Sequence, residues 1–138
     1  MSVESSFLTE RPKLRFAWLW WVVGYLLVIL TVNESLVTDP EAIPIAVNDK
    51  VVHFTGYFLL ASWFGGVARR RRYWLVALAL LILGGGIEIA QGTMHNGRDA
   101  EWLDMLANTL GVTAGLGLAA LGLGMWMVWV ERLLRLQK

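Results

Sequence analysis

The chain has 138 residues, of which 57% are hydrophobic and 17% are charged, with a formal net charge of +1 and no cysteine. A soluble domain usually carries about 25% charged residues, and the mean hydropathy here is +0.55. This composition excludes an ordinary soluble enzyme, a disordered chain and a disulfide scaffold, and it predicts one integral membrane domain over residues 1–138.

Four apolar stretches follow one another along the chain, and together they predict an all-α, integral membrane four-helix bundle. A helix that crosses a bilayer needs roughly 20 apolar residues. The predicted helices cover residues 16–32, 51–68, 73–91 and 102–130. The first stretch has a basic flank but no small-x-small cleavage site after it, so it is interpreted as an anchor that stays in place.

Basic residues predict the orientation of the chain, because ten of the twelve fall in three groups beside the apolar stretches and only Lys50 and Arg98 fall elsewhere. The three groups are Arg11, Lys13 and Arg15; Arg69, Arg70, Arg71 and Arg72; and Arg132, Arg135 and Lys138. With four spans they all fall on one side, which the positive-inside rule assigns to the cytoplasm. Both termini are therefore expected in the cytoplasm. The run of four arginines is interpreted as a topology signal with anionic-lipid contact, and no nucleic-acid partner is predicted.

Polar residues are expected at the outer ends of three helices, where they would share one level in the membrane. The candidates are Asp49, Lys50, His53 and Tyr57 in the second helix, Glu88 and Gln91 in the third, Arg98 in the following loop, and Asp104 and Asn108 in the fourth. Because polar groups in membrane helices are costly, the pattern predicts a shared pocket that opens outward. Lys50 and Arg98 are the cations expected to hold a phosphate or carboxylate.

Structural interpretations of the same residues stay open. Asp49 also fits a helix N-cap, and His53 also fits a satisfied interhelical hydrogen bond. Glu88 and Asn108 also fit polar contacts that simply hold helices together. From the first helix, Tyr25 and Asn33 are the only candidates to join the polar residues.

Glycine residues form rows in the predicted third and fourth helices. The rows are Gly84, Gly85 and Gly86, and Gly111 with Gly115, and they predict close helix packing. There is no HExxH motif, and no metal or cofactor is predicted. His53, Glu88 and Asp104 form the one ligand set that was considered as an alternative.

The polar pattern resembles the VanZ-like family of small bacterial membrane proteins over about residues 45–120. The motifs, in order, are Asp49-Lys50-x-x-His53-Phe54-x-x-Tyr57, Glu88-x-x-Gln91, Gly97-Arg98 and Asp104-x-x-Ala107-Asn108-Thr109-x-Gly111. One departure is Asn96, which stands where the family pattern has proline. The resemblance implies a multi-pass protein of the bacterial cytoplasmic membrane. It also implies an association with glycopeptide (teicoplanin) resistance or other cell-envelope work.

Three functions are compatible with the sequence. The leading one is a non-enzymatic protein that binds the head group of a lipid, lipid-linked precursor or lipoglycopeptide at the outer leaflet. The second is an enzyme that acts on such a head group, with His53 and Glu88 as an acid–base pair. The third is an assembly subunit of a larger membrane complex, in which the polar network is structural and the glycine faces dock a partner.

Overall fold

Five α-helices and two short 3-10 turns form the regular structure of residues 14–37, 49–94 and 101–136, the part that the computed structural model describes. The helices are α1 (Ala17–Val37), α2 (Asp49–Val67), α3 (Tyr73–Thr93), α4 (Trp102–Ala120) and α5 (Trp126–Leu136), and the turns are Arg70–Arg72 and Leu123–Met125. The described ranges contain no strand. The all-α prediction is confirmed for them.

Three helices in the described ranges are long and apolar enough to cross a membrane. These segments are Ala17–Leu36, Arg70–Thr93 and Trp102–Ala120. The 19-residue helix α2 is less apolar, since it carries Asp49, Lys50 and His53 in its first five residues. It is also the helix against which the others pack, with Leu60, Ala61 and other residues fully buried.

The prediction of one helix over residues 102–130 is wrong. Helix α4 ends at Ala120, and α5 begins at Trp126. Between them Gly122 has a φ of 112°, a left-handed conformation that only glycine adopts readily. The 19 residues of α4 extend about 28 Å, which is close to the thickness of a bilayer core. Helix α5 has 11 residues and is too short to cross.

The other three helices keep the predicted order with small shifts at their ends. Helix α1 continues past residue 32 to Val37, α2 begins at Asp49, and α3 continues to Thr93. The extensions at these ends carry polar residues, which lie outside the apolar runs that predicted the helices.

Helices α2 and α4 meet along a glycine face, as the sequence predicted. A Cβ atom at Gly115 would lie 2.6 Å from the carbonyl oxygen of Phe58 and 2.8 Å from the Cβ of Ala61. A Cβ at Gly111 would collide with the carbonyl of Phe54. The two backbones therefore approach as closely as small residues allow.

The glycine row of α3, residues 84–86, packs closely at only one of its three positions. A Cβ at Gly84 would lie 2.9 Å from Nδ2 of Asn108 and 3.1 Å from the hydroxyl of Tyr57. No atom of the described residues lies within 4 Å of a Cβ built at Gly85 or Gly86, so the packing prediction is wrong for these two. They lie on helix faces turned away from α2 and α4.

A carboxylate from α5 binds the beginning of α1. Glu131, which is 5% exposed, accepts hydrogen bonds from the backbone N–H groups of Arg15 at 2.6 Å and Phe16 at 2.9 Å. It also accepts one from Nε1 of Trp20 at 2.9 Å. The first N–H groups of a helix lack intrahelical partners and carry partial positive charge, so a buried carboxylate is stabilised there. This contact brings α5 to the start of α1.

Most of the described basic residues lie at one end of the helices and most of the acidic residues at the other; the exceptions are Lys50 and Glu131. The rings of Trp20, Trp63 and Trp126 pack with centroids 5.4 to 5.5 Å apart, so the start of α1, the end of α2 and the start of α5 share one end. The four arginines between α2 and α3 lie at this end. The opposite end carries acidic side chains from the start of α2, the end of α3 and the start of α4.

Candidate functional site

Three helix ends bring nine polar side chains together at the acidic end, and we refer to this group as the polar cluster. It comprises Asp49, Lys50, His53 and Tyr57 from α2, Glu88 and Gln91 from α3, Glu101 just before α4, and Asp104 and Asn108 from α4. Six of the nine are buried: His53, Tyr57, Glu88, Gln91, Asp104 and Asn108. Helices α2 and α4 begin at this end and α3 finishes there, so the chain direction alone aligns the predicted polar segments.

His53 lies at the centre of the polar cluster. Its Nδ1 is 3.1 Å from the side-chain oxygen of Asn108, which is fully buried. Because an amide oxygen only accepts, Nδ1 is the donor in this contact. The same Nδ1 is 3.9 Å from Oε1 of Glu88, and Nε2 is 3.8 Å from Oδ2 of Asp49. The imidazole therefore has a carboxylate near each ring nitrogen.

Lys50 lies at the rim of the polar cluster and contacts two carboxylates. Its Nζ bonds the side chain of Glu101 and lies 3.2 Å from Oδ1 of Asp104. The hydrogen bond with Glu101, together with Asp104, raises the pKa of Lys50 to about 12. The ammonium group predicted to hold a ligand anion is thus already engaged by the protein's own carboxylates.

Glu101 is a member of the cluster that the sequence reasoning missed. Besides contacting Lys50, it donates its backbone N–H to Oε2 of Glu88 at 3.3 Å. The available signal was its i, i+3 spacing to Asp104, which places both carboxylates at the same helix end.

Three buried polar atoms of the cluster have no hydrogen-bond partner among the described residues: Oε1 of Glu88, the hydroxyl of Tyr57 and Oδ1 of Asp104. The last of them lies 3.2 Å from the ammonium of Lys50. A buried polar atom that makes no hydrogen bond costs roughly 1–3 kcal/mol, and more when it is charged. Such atoms are rare in native proteins, so each indicates a place where a further group can bind.

Helix α1 joins the polar cluster through its backbone. Gln91 donates from Nε2 to the carbonyl oxygen of Ser35 at 2.9 Å. Neither candidate named from the first helix makes this contact. Tyr25 instead packs on Trp21 and Phe64, with ring centroids 5.9 and 6.2 Å away. The connection depends on the extension of α1 past its apolar run.

Arg98, the second predicted cation, lies outside the described residues, as do Asn96 and Gly97. Its predicted contact with an anionic ligand therefore stays a prediction. The nearest described residues are Met94, which follows α3, and Glu101, which precedes α4.

A possible metal-ligand set is present in the cluster, with different members from the set considered on sequence. Asp49, His53 and Asp104 each offer a ligand atom, and these atoms lie within 4.8 Å of one another. Oxygen and imidazole donors suit several divalent metals. However, the ammonium of Lys50 lies against Asp104, so the protein supplies its own cation at this carboxylate.

Comparison with known proteins gives one relative. No family model matches the chain, and no solved structure matches it. The Uncharacterized protein C11E3.10 of Schizosaccharomyces pombe is 35% identical over 99 residues, which cover 69% of this chain and 60% of the yeast protein. The chain thus spans about three fifths of the length of this relative, whose name states no activity.

Proposed function

We propose that the chain is a multi-pass membrane protein that binds the head group of a lipid or lipid-linked envelope precursor in the polar cluster. The observation that carries this proposal is Oε1 of Glu88, which is buried among side chains from three helix ends and has no hydrogen-bond partner in the described part of the chain. A hydroxyl or ammonium group of a ligand would donate to this oxygen. An interhelical contact that served only to hold the helices would be expected to satisfy it already.

The charges of the cluster favour a ligand rich in hydrogen-bond donors. The cluster contains four carboxylates and one lysine: Glu101 and Asp104 contact Lys50, whereas Asp49 and Glu88 lie near His53. Since Lys50 is engaged, the proposed contact with a phosphate or carboxylate rests on Arg98. The ligand class is therefore an anionic head group that also carries hydroxyl or amino groups.

The membrane placement and the biological setting are part of the proposal. The basic end would face the cytoplasm by the positive-inside rule, which places the polar cluster at the outer leaflet. The resemblance to the VanZ-like family supports a cell-envelope role in a bacterial membrane, with a lipoglycopeptide such as teicoplanin as an alternative ligand. The likeness to a fungal protein favours a head group that bacteria and fungi share.

Native mass spectrometry of the full chain in mild detergent tests the proposal. Wild type is compared with Arg98→Ala, with Glu88→Gln, and with Arg71→Ala at the opposite end as a matched control for charge. We expect wild type and Arg71→Ala to carry a discrete adduct that is missing from the other two variants, whatever other lipids all four proteins retain. A bare wild-type mass, or adducts equal in all four proteins, would refute ligand binding and favour the assembly-subunit function.

A second function, catalysis on the same head group, is favoured by the position of His53. Its Nδ1 lies 3.9 Å from Oε1 of Glu88, and histidine titrates near neutral pH. An acid–base pair needs its members close to one another and to the ligand. If the protein is an enzyme, His53→Ala should retain the adduct and lose turnover of that lipid. Wild type that leaves the bound lipid unchanged would exclude this second function.

A further inference from the structure

A separate cavity lies at the basic end of the molecule, between α1, α2 and α3. Its volume is about 580 Å³, within the range of small-molecule sites. Its walls are mainly apolar and include Trp21 and Tyr25 of α1, Phe64 of α2, and Leu75 and Leu80 of α3. None of these residues belongs to the polar cluster, so the cavity is independent of the function proposed above.

Two arginines lie at one end of this otherwise apolar cavity. Arg69 and Arg72 line it, whereas Arg70 and Arg71 do not. Arg69 precedes the 3-10 turn Arg70–Arg72 and has an extended backbone, and the N–H of Arg72 bonds its carbonyl oxygen at 2.8 Å. This short connection keeps the two arginines at the same end of the cavity.

Neither guanidinium of the pair has an acidic partner. Within residues 14–37, 49–94 and 101–136, no ion pair involves Arg69 or Arg72, and both residues are exposed. Two adjacent, unengaged guanidinium groups suit the oxygen atoms of a phosphate. Lys50 at the other end differs in this respect, since two carboxylates already contact it.

We propose that this cavity binds one anionic phospholipid, with its phosphate on Arg69 and Arg72 and an acyl chain along the apolar walls. Two of the three helices that form the walls, α1 and α3, are long and apolar enough to cross a membrane. Acyl chains would therefore surround their outer faces, where large side chains such as Leu26, Ile29 and Ile82 are exposed. A lipid satisfies both features of the cavity at once, since its phosphate matches the charge and its chain matches the walls.

Lipid titration by native mass spectrometry tests this proposal on the full chain in detergent. The probes are phosphatidylglycerol and phosphatidylcholine with identical acyl chains. The double variant Arg69→Gln/Arg72→Gln is compared with Arg70→Gln/Arg71→Gln, which removes the same charge beside the cavity. We expect the first variant to bind phosphatidylglycerol about 30-fold more weakly than wild type. The control should stay close to wild type, and equal weakening in both variants would overturn the proposal.

A second pair of variants tests the acyl-chain part of the site with all arginines intact. Ala79 lines the cavity and its neighbour Leu78 does not, although both residues are exposed. Ala79→Trp should fill the space and abolish tight phosphatidylglycerol binding, whereas Leu78→Trp should retain it. Retained binding in Ala79→Trp would overturn the proposal. Glu88→Gln should bind phosphatidylglycerol normally, which separates this site from the polar cluster.

Discussion

The close contact between α2 and α4 leaves no room for a side chain at Gly111. A Cβ atom there would collide with the carbonyl of Phe54 and would lie 3.0 Å from the backbone nitrogen of Phe58. Backbone atoms cannot rotate away as a side chain can, so α2 and α4 must separate by on the order of 1 Å to restore normal contact distances. We therefore expect Gly111→Ala to destabilise the folded protein.

The loss of stability caused by the collision at Gly111 is best measured by comparison with Gly117→Ala in the same helix. A Cβ at Gly117 meets no described atom within 4 Å. Both substitutions gain roughly 0.5–1 kcal/mol of helix propensity, which cancels in the comparison. Overpacking costs about 1–3 kcal/mol, and backbone neighbours place Gly111→Ala near the upper limit. We expect it to melt lower than Gly117→Ala by on the order of 10 °C.

The polar cluster should respond to the same substitution. A separation of 1 Å would lengthen the 3.1 Å contact between His53 and Asn108 to about 4 Å, which is no longer a hydrogen bond. The free-energy costs of Gly111→Ala and Asn108→Ala should therefore be less than additive. Thermal unfolding followed by circular dichroism in detergent measures all of these variants. Equal stability of Gly111→Ala and Gly117→Ala would refute the reasoning.

Four further substitutions test other parts of the structure. Glu131→Ala removes three hydrogen bonds at the start of α1 and should lower the free energy of unfolding by about 3 kcal/mol in chemical denaturation. Glu131→Gln should lower it less, and no change in either variant would contradict the contact with α1. Gly122→Ala should cost about 1–2 kcal/mol in the same assay because of its positive φ, and a neutral result would mean that α4 continues. Glu88→Gln should change stability by less than about 1 kcal/mol while abolishing the adduct of the polar cluster, whereas a large loss of stability would favour a structural role. Tyr57→Phe should leave the melting temperature of the ligand-free protein unchanged or higher, and a marked fall would reveal a partner for the hydroxyl.

Much of the polar cluster was predictable because the order of the helices determines it. Once consecutive helices alternate in direction, the start of α2, the end of α3 and the start of α4 must share one end. His53, Glu88 and Asn108 therefore meet without any detailed knowledge of packing. Similarly, the spacing of Gly111 and Gly115 predicts a close helix contact, since residues four apart share one face of a helix.

The tertiary structure decided which partner each polar group has. Composition and spacing put Lys50 near the cluster, but only the packing of α4 against α2 brings Glu101 and Asp104 to its ammonium group. The same holds for Glu131, which lies more than 100 residues from the N–H groups that it binds. No local pattern predicts such a contact, because it depends on where α5 turns after Gly122.

The sequence by itself thus determined that this chain is helical, apolar along much of its length, and polar at one shared level. These properties follow from composition and from periodicity along single helices, which need no neighbour to be defined. The division of the last apolar stretch, the engagement of Lys50 and the pairing of Arg69 with Arg72 beside a cavity depend on local backbone geometry and on contacts between segments distant in the chain. Only the tertiary structure brings those segments together.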